Sequence, residues 1–492
     1  LNLIRDSKLN EYLSTSLKQK NKKQLSVFFV FILLPLLLTC LYQWDKQRIK
    51  TYYYSAIGER WSVPFGINEL TDEQVSHRTF SYKMDYQDGV LKRLSHVNSV
   101  GTLTKDESRE NNALWEYQYT EEGRVQSVTV KSETTKKVQT INFQFGENNQ
   151  AIESFNKSFG SKNFNQISTN QLYMGLNNFG IVEDTKTNSD ISQHLITYSS
   201  DGNELKREYQ NPYGTPTPFN NEHYGIAYTY NKNSLFHGTY FLNKNGDVFG
   251  GYEYKYFYNS FGQIVEVKKV FKNGKTEHQK LTYDKWGNLE TGVLLNSDGK
   301  IISEGGIAKS HYEFDVGGNT IKLYFTDIGG NYVAKAYGVA IQKMTYDENG
   351  RVADLILFDE KYKPTYGSYK CHKGSHGYDG NGNITSLTCY NPEGDLSLNI
   401  FGCATTKITW NENSDMEEVR CLDQYNKPTL MTYFKAALLK ITYDEFGKSN
   451  SLSFYGVDGK PTLNNEGFAK AVIKNDSRGN KVEVKFFGAD GD

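Results

Sequence analysis

Several shortages in this sequence narrow what the chain can be. Proline occurs only 9 times in 492 residues while aromatics are plentiful, which argues against a disordered or proline-rich chain. Neither sign of charge dominates. The 56 Lys and Arg face 57 Asp and Glu, a net charge of −1, so no phosphate-binding surface is indicated and no nucleic-acid partner is expected. Catalytic signatures are missing as well: there is no Gly-x-Ser-x-Gly elbow, no His-Glu-x-x-His and no phosphate loop. No catalytic residue and no cofactor is assigned, and the chain is expected not to be an enzyme.

What is present points to strands. Aromatics make up 14% of the chain, with 36 Tyr and 28 Phe, and Gly occurs 43 times. Tyr, Phe, Thr and Val broken by Gly-containing turns favour an all-β protein. In "VEVKF", Val482, Val484 and Phe486 fall on one face, Glu483 and Lys485 on the other, the alternation of a strand with one face buried. Thr71-x-x-Gln74 is a capping pattern that predicts one short helix. The polar stretch Glu183 to Gln193 reads as a linker.

One stretch lacks charge altogether. Leu25 to Trp44 is 20 residues long, enough at about 1.5 Å per helical residue to match a hydrocarbon core of about 30 Å. Lys18, Lys20, Lys22 and Lys23 precede it, and Lys46, Arg48 and Lys50 follow. That bias favours an N-terminus inside. The expectation is a cytoplasmic segment over 1–24 and a transmembrane helix over 25–44, with the membrane as partner. The chain would be a single-pass membrane protein whose C-terminal region is periplasmic or extracellular. Leu37 to Cys40 also resembles the end of a bacterial lipoprotein signal, which leaves acylation of Cys40 as an alternative anchor. The sequence opens at Leu1 without Met, as a fragment would.

The strongest signal is an internal repeat. Aromatic anchors open Tyr-Asp-x-x-Gly turns at Tyr198, Tyr230, Tyr258, Tyr283, Phe314, Tyr346, Tyr378, Trp410 and Tyr443, with Asn475 as a degenerate copy. The last six gaps are 31, 32, 32, 32, 33 and 32 residues. Gly follows four residues after the anchor at Gly202, Gly262, Gly287, Gly318, Gly350, Gly382 and Gly447. A second turn, with Gly at 299, 330, 394 and 459, comes 16 residues after the anchor, and Ala308, Ala340, Ala404, Ala437 and Ala469 stand six before the next. Asp or Asn followed by Gly supplies the positive φ of tight hairpin turns. Each unit is therefore read as an antiparallel hairpin plus a looser return segment, and stacked units bury what one cannot. The domain organisation expected is a degenerate N-terminal ectodomain over 45–197 and a regular array of about 32-residue units over 198–492.

Turns such as Tyr443-Asp-Glu-Phe-Gly447, Tyr346-Asp-Glu-Asn-Gly350 and Tyr283-Asp-Lys-Trp-Gly287 resemble the YD (Rhs-type) repeats of bacterial surface proteins. The resemblance covers residues 198–492 and, weakly, 80–197. It implies an elongated β-sheet spiral or shell outside the cytoplasm. The period here is longer than in the standard family, and neither an autoprotease core nor a C-terminal toxin is recognised. Repeats of this kind also occur in the extracytoplasmic portions of receptor-like kinases.

Four cysteines share the period. Cys371 and Cys403 are 32 apart, as are Cys389 and Cys421, and each of the pairs 371/389 and 403/421 is separated by 18 around a turn. Residues equidistant from a hairpin turn face each other, so cross-strand disulfides Cys371–Cys389 and Cys403–Cys421 are expected. The alternative is that each Cys replaces a small buried hydrophobe, because other units place Val339 with Leu357 and Phe468 with Phe486 there. Cys371, His372, His376 and Cys389 would suit zinc by count, but their spacing matches no zinc module, and no metal site is assigned. The function expected is a membrane-anchored extracytoplasmic β-repeat protein with a binding, adhesion or envelope-structural role. An envelope protein or a glycan would be its ligand. The alternative is the sensor portion of a transmembrane receptor whose catalytic part lies upstream.

Overall fold

A computed structural model describes residues 48–106, 109, 112–132, 138–146, 150–159, 162–164, 176–177, 181–182, 193–211, 213–219, 223–231, 235–249, 252–271, 274, 276–444, 448–475 and 481–491. The chain divides into two compact units, residues 1–51 with 85–92, and residues 52–84 with 93–492; the second holds the repeats. Among the described residues, 29 strands belong to one sheet. The fold is all-β and antiparallel. From Val90–Val97 onward each strand pairs with the next in the chain. The exception is Gln150–Phe159, which pairs at one end with Lys162–Phe164 and at the other with Gln193–Tyr198. From there the meander runs strand by strand to Lys481–Phe487. Of the expected linker only Gln193 is described, as the first residue of a strand.

The expected single-pass membrane placement, N-terminus cytoplasmic and C-terminal region periplasmic or extracellular, is corrected. No helix among the described residues is long and apolar enough to cross a membrane. The α-helix that is described, Asp72–Ser76, has five residues, about 8 Å against the roughly 30 Å a spanning helix needs. Its cap is the Thr71–Gln74 box, with Gln74 N–H on the Thr71 hydroxyl and Thr71 N–H on the Gln74 side chain. Leu25 to Trp44, with Cys40 inside it, lies outside the described residues.

Residues 346–351 show why the turn phrase returns. Tyr346 ends one strand and Val352 opens the next. The Asp347 carboxylate accepts from the N–H of Asn349 at 3.0 Å and of Arg351 at 2.9 Å. The Asp347 carbonyl accepts from Gly350 N–H at 3.0 Å. The ladder slips by one residue between Thr345 and Tyr346. The result is a turn closed by a bulge, which requires positive φ near its end, and Gly350 sits at 72°. In the turn of Trp410, Ser414 takes that place at 60°.

The segment expected as a loose return is a third tight turn. Lys370 (φ 58°), Gly402 (82°), Lys435 (53°) and Gly467 (87°) mark it in successive units. Third turns bond to one another. Ile400 N–H donates to the Tyr369 carbonyl at 2.9 Å, Thr432 N–H to Phe401 at 2.8 Å, and the Asn465 amide to the Tyr433 carbonyl. After most third turns comes the buried Ala, with His372 in its place after the turn at Lys370. Ala404 N–H donates to Leu422 and its carbonyl accepts from Cys389, each at 2.8 Å, so one residue ties three strands. Ala308, Ala340 and Ala404 expose nothing, and a larger side chain would have no room.

The third turn at Lys435 also folds its own apolar residues over the sheet. Met431 and Phe434 pack on Cys403, Val419, Cys421, Leu439, Ile441 and Phe454, with Trp410 and Tyr443 at the margin.

Candidate functional site: a row of turns

The anchors Tyr198, Tyr258, Tyr283, Tyr346, Tyr378 and Tyr443 each end a strand at a bulge. Gly202, Gly262, Gly287, Gly350 and Gly382 all have positive φ; Gly447 lies outside the described residues. What the sequence does not disclose is the use of the hydroxyl. Tyr283 donates to the Ile264 carbonyl at 2.6 Å, Tyr346 to Thr320 at 2.7 Å, Tyr378 to Val352 at 2.8 Å and Tyr443 to Met416 at 2.7 Å. Each acceptor lies six residues past the preceding anchor. Trp410 reaches the same place with its indole N–H, 2.7 Å from the Ile384 carbonyl, and Asn475 with its amide, 3.3 Å from Ser449. These six anchors thus act as donors that link a unit to the one before it, while Phe314 has no side-chain donor to offer. Burial pushes the Tyr283 and Tyr346 hydroxyls up to about 12, with Arg78 opposing at Tyr283 and Asp315 adding at Tyr346.

Residues between Ser55 and Thr79, together with Asn98, lie along the earlier turns. Trp61 N–H donates to the Gly202 carbonyl at 2.7 Å, and the Ser55 hydroxyl to Phe261 at 2.9 Å. Arg78 donates to the Trp286 carbonyl. Thr79 bonds the Gly318 carbonyl at 2.7 Å, and the Asn98 amide bonds Asn349 at 2.9 Å. A Cβ on Gly287 would fall 2.1 Å from an Arg78 guanidinium nitrogen, so this glycine serves close approach as well as turn geometry. Burial lowers Arg78, partly offset by Asp284.

Beside this segment lies a buried ionic cluster that composition does not reveal. Arg207 pairs with Glu204 at 2.8 Å and also with Glu153, and His194 lies 2.8 Å from Glu153. Arg109 pairs with Glu59 at 2.9 Å. Burial alone would raise Glu153, but Arg207 and His194 outweigh it and hold the carboxyl below its usual range. At Glu204 burial wins and the carboxyl is raised despite the same arginine. Glu153 has a second cation-capable partner in His194, whereas the Glu153 and Glu59 carboxylates add to the rise at Glu204.

Both disulfides are present, Cys371–Cys389 and Cys403–Cys421, with Cα–Cα distances of 5.3 and 5.2 Å. They are not ladder partners, however. Cys389 pairs in register with Gly374, and Cys421 with Thr406, each three residues past the other cysteine of its bridge, because Cys371 and Cys403 lie ahead of their strands. Cys371 instead follows Lys370 at the end of the third turn, so each bridge pins a third turn to its strand. The same location holds the Phe468–Phe486 contact, ring centroids 4.7 Å apart, in the last unit. Among the described residues no group of three or more His, Cys, Asp or Glu is placed to hold a metal ion. The Nδ1 atoms of His372 and His376 are buried without a protein partner.

No family model matches the chain, and no curated protein matches it. Among solved structures it is similar to a TcdB2-TccC3-Cdc42 crystal structure at 12% identity and TM-score 0.34, over 84% of this chain and 20% of that one. It is also similar to the Photorhabdus luminescens Tc holotoxin pore at 11% identity and TM-score 0.32, over 86% and 24%. The chain spans about a fifth to a quarter of the length of these structures. The resemblance to YD repeats rests on the chain's own Tyr-Asp-x-x-Gly turns.

Proposed function

We propose that the chain is a binding scaffold without catalytic activity of its own, in which repeated units hold one continuous surface in fixed register. The observation that carries this reading is the set of links between units. Units are joined to their predecessors by strand pairing, in most cases by an anchor donor at the first turn, and from Tyr369 onward by hydrogen bonds between third turns. The polar side chains of the turns are spent on their own backbone, as at Asp284, Asp347 and Asp379. Adhesion to an envelope protein or glycan is the use such a surface serves. The two disulfides fit a protein that folds where thiols are oxidised. The test is binding without conversion. Full-length protein is incubated with panels of glycans and peptides, and both retention and product are measured by mass spectrometry. Retention with every ligand recovered intact is expected. Turnover abolished by a single substitution would replace this reading with an enzyme.

A further inference from the structure

Resting on the scaffold reading and deepening it, we infer that one sheet face of the array binds a linear acidic polysaccharide through lysines set over aromatic rings. Register and alternation put Lys322, Lys343, Lys373, Lys407, Arg420 and Lys440 on the face opposite the Met431–Phe434 core. Lys322 stands directly across from Lys343, and Lys407 directly across from Arg420. Like charges in facing positions destabilise a sheet, and stability alone does not favour them. The compensation is partial. Glu313 takes Lys322 at 2.9 Å, Asp354 takes Lys373 at 3.1 Å, and Glu418 takes Lys440 at 2.7 Å and Arg420 at 3.5 Å. Among the described residues neither Lys343 nor Lys407 has a carboxylate at ion-pair distance.

Four of the lysine heads lie on rings, and among the described residues Lys407 does not. Lys322 Nζ is 4.5 Å from the Tyr324 centroid, Lys343 is 5.1 Å from Tyr362, Lys373 is 5.3 Å from Tyr390 and Lys440 is 5.9 Å from Tyr455. Hydroxyls of Thr345, Ser375, Thr388 and Thr405 share the face. Cations for carboxylates, aromatic planes for sugar rings and hydroxyls for sugar hydroxyls make up the chemistry of an acidic glycan site. Duplex DNA carries about one charge per 1.7 Å, whereas strands about 4.8 Å apart space these cations for a sparser polyanion.

The test measures binding of the full chain to polygalacturonate, to neutral dextran and to a single-stranded oligonucleotide, at low and high salt. Salt-sensitive binding to polygalacturonate is expected, with dextran and oligonucleotide at least about tenfold weaker. The double variant Lys343→Gln/Lys407→Gln should weaken polygalacturonate binding about fivefold or more without lowering Tm, since it removes facing like charges. Lys343→Arg/Lys407→Arg should retain binding, as should Lys427→Gln, which lies in a second turn off this face. No binding to polygalacturonate, equal binding to dextran, tighter binding to the oligonucleotide, or unchanged affinity in the Gln variant would each overturn the assignment. Polygalacturonate that is bound but cleaved would support this face while removing the non-catalytic reading.

Discussion

Tyr362, Ser414 and Asn426 stand where other units have glycine, and they keep its backbone conformation, with φ of 60°, 60° and 61°. The left-handed region costs an L-residue about 1–2 kcal/mol, less for Asn. Asn426→Gly is therefore expected to stabilise by a few tenths to about 1 kcal/mol in denaturant melts, and Gly394→Ala to destabilise by about 1 kcal/mol or more. The anchor hydroxyls give a second residue-level expectation. Tyr346→Phe removes a donor and leaves the Thr320 carbonyl unpaired, a loss of about 1–2 kcal/mol. The raised values of Tyr283 and Tyr346 set the alkaline limit. An unfolded tyrosine ionises at 10.0 and these only at about 12, so their contribution is whole below pH 10 and is lost as pH rises from 10 towards 12. Phenolate absorbance and far-UV signal followed together should move in that window. Native signal retained through pH 12 with all tyrosines ionised would contradict it.

Two of the three turns are visible in the sequence of most units because Asp or Asn followed by Gly marks them, the Trp410 unit having Ser414 and Asn426 instead. The third is not, since Lys370 and Lys435 adopt positive φ without any turn signature. The cysteine partners could be found by period, but their register could not, because Cys371 and Cys403 lie ahead of their strands, in the third turn that the sequence does not mark. The cover over the first turns is equally silent, with Arg78 and Trp286 separated by 208 positions. Accessibility makes the two bridges unequal. Cys403 and Cys421 are 1% and 0% exposed, whereas Cys371 is half-buried at the end of a third turn. Mild reductant on the native protein should open Cys371–Cys389 first, which differential alkylation and mass spectrometry would show. Each bridge closes a loop of 18 residues, for which chain entropy gives about 3 kcal/mol. Simultaneous reduction of both would mean that the second core opens as readily as the third-turn surface.

Across the whole array, cover decides stability. Phe454 is 3% exposed beneath Phe434 and Phe468, while its counterpart Phe486 is 60% exposed and touches Phe468 from one side. Amides of Lys481–Phe487 should exchange faster than those of Ser449–Tyr455, and equal protection in a proven monomer would show that the last strand is covered by something else. The bonds between units have one further consequence, and it is mechanical. Anchor and third-turn bonds reach back by a single unit, so a chain pulled from its C-terminal end has no reason to yield all at once. It should pay out in near-equal lengths, each about 32 residues or roughly 115 Å of extended chain. Two of those lengths should be shorter by about 65 Å while the cysteine loops are locked, and full after reduction. A single-molecule force trace would then read as a ruler whose marks are the tyrosines.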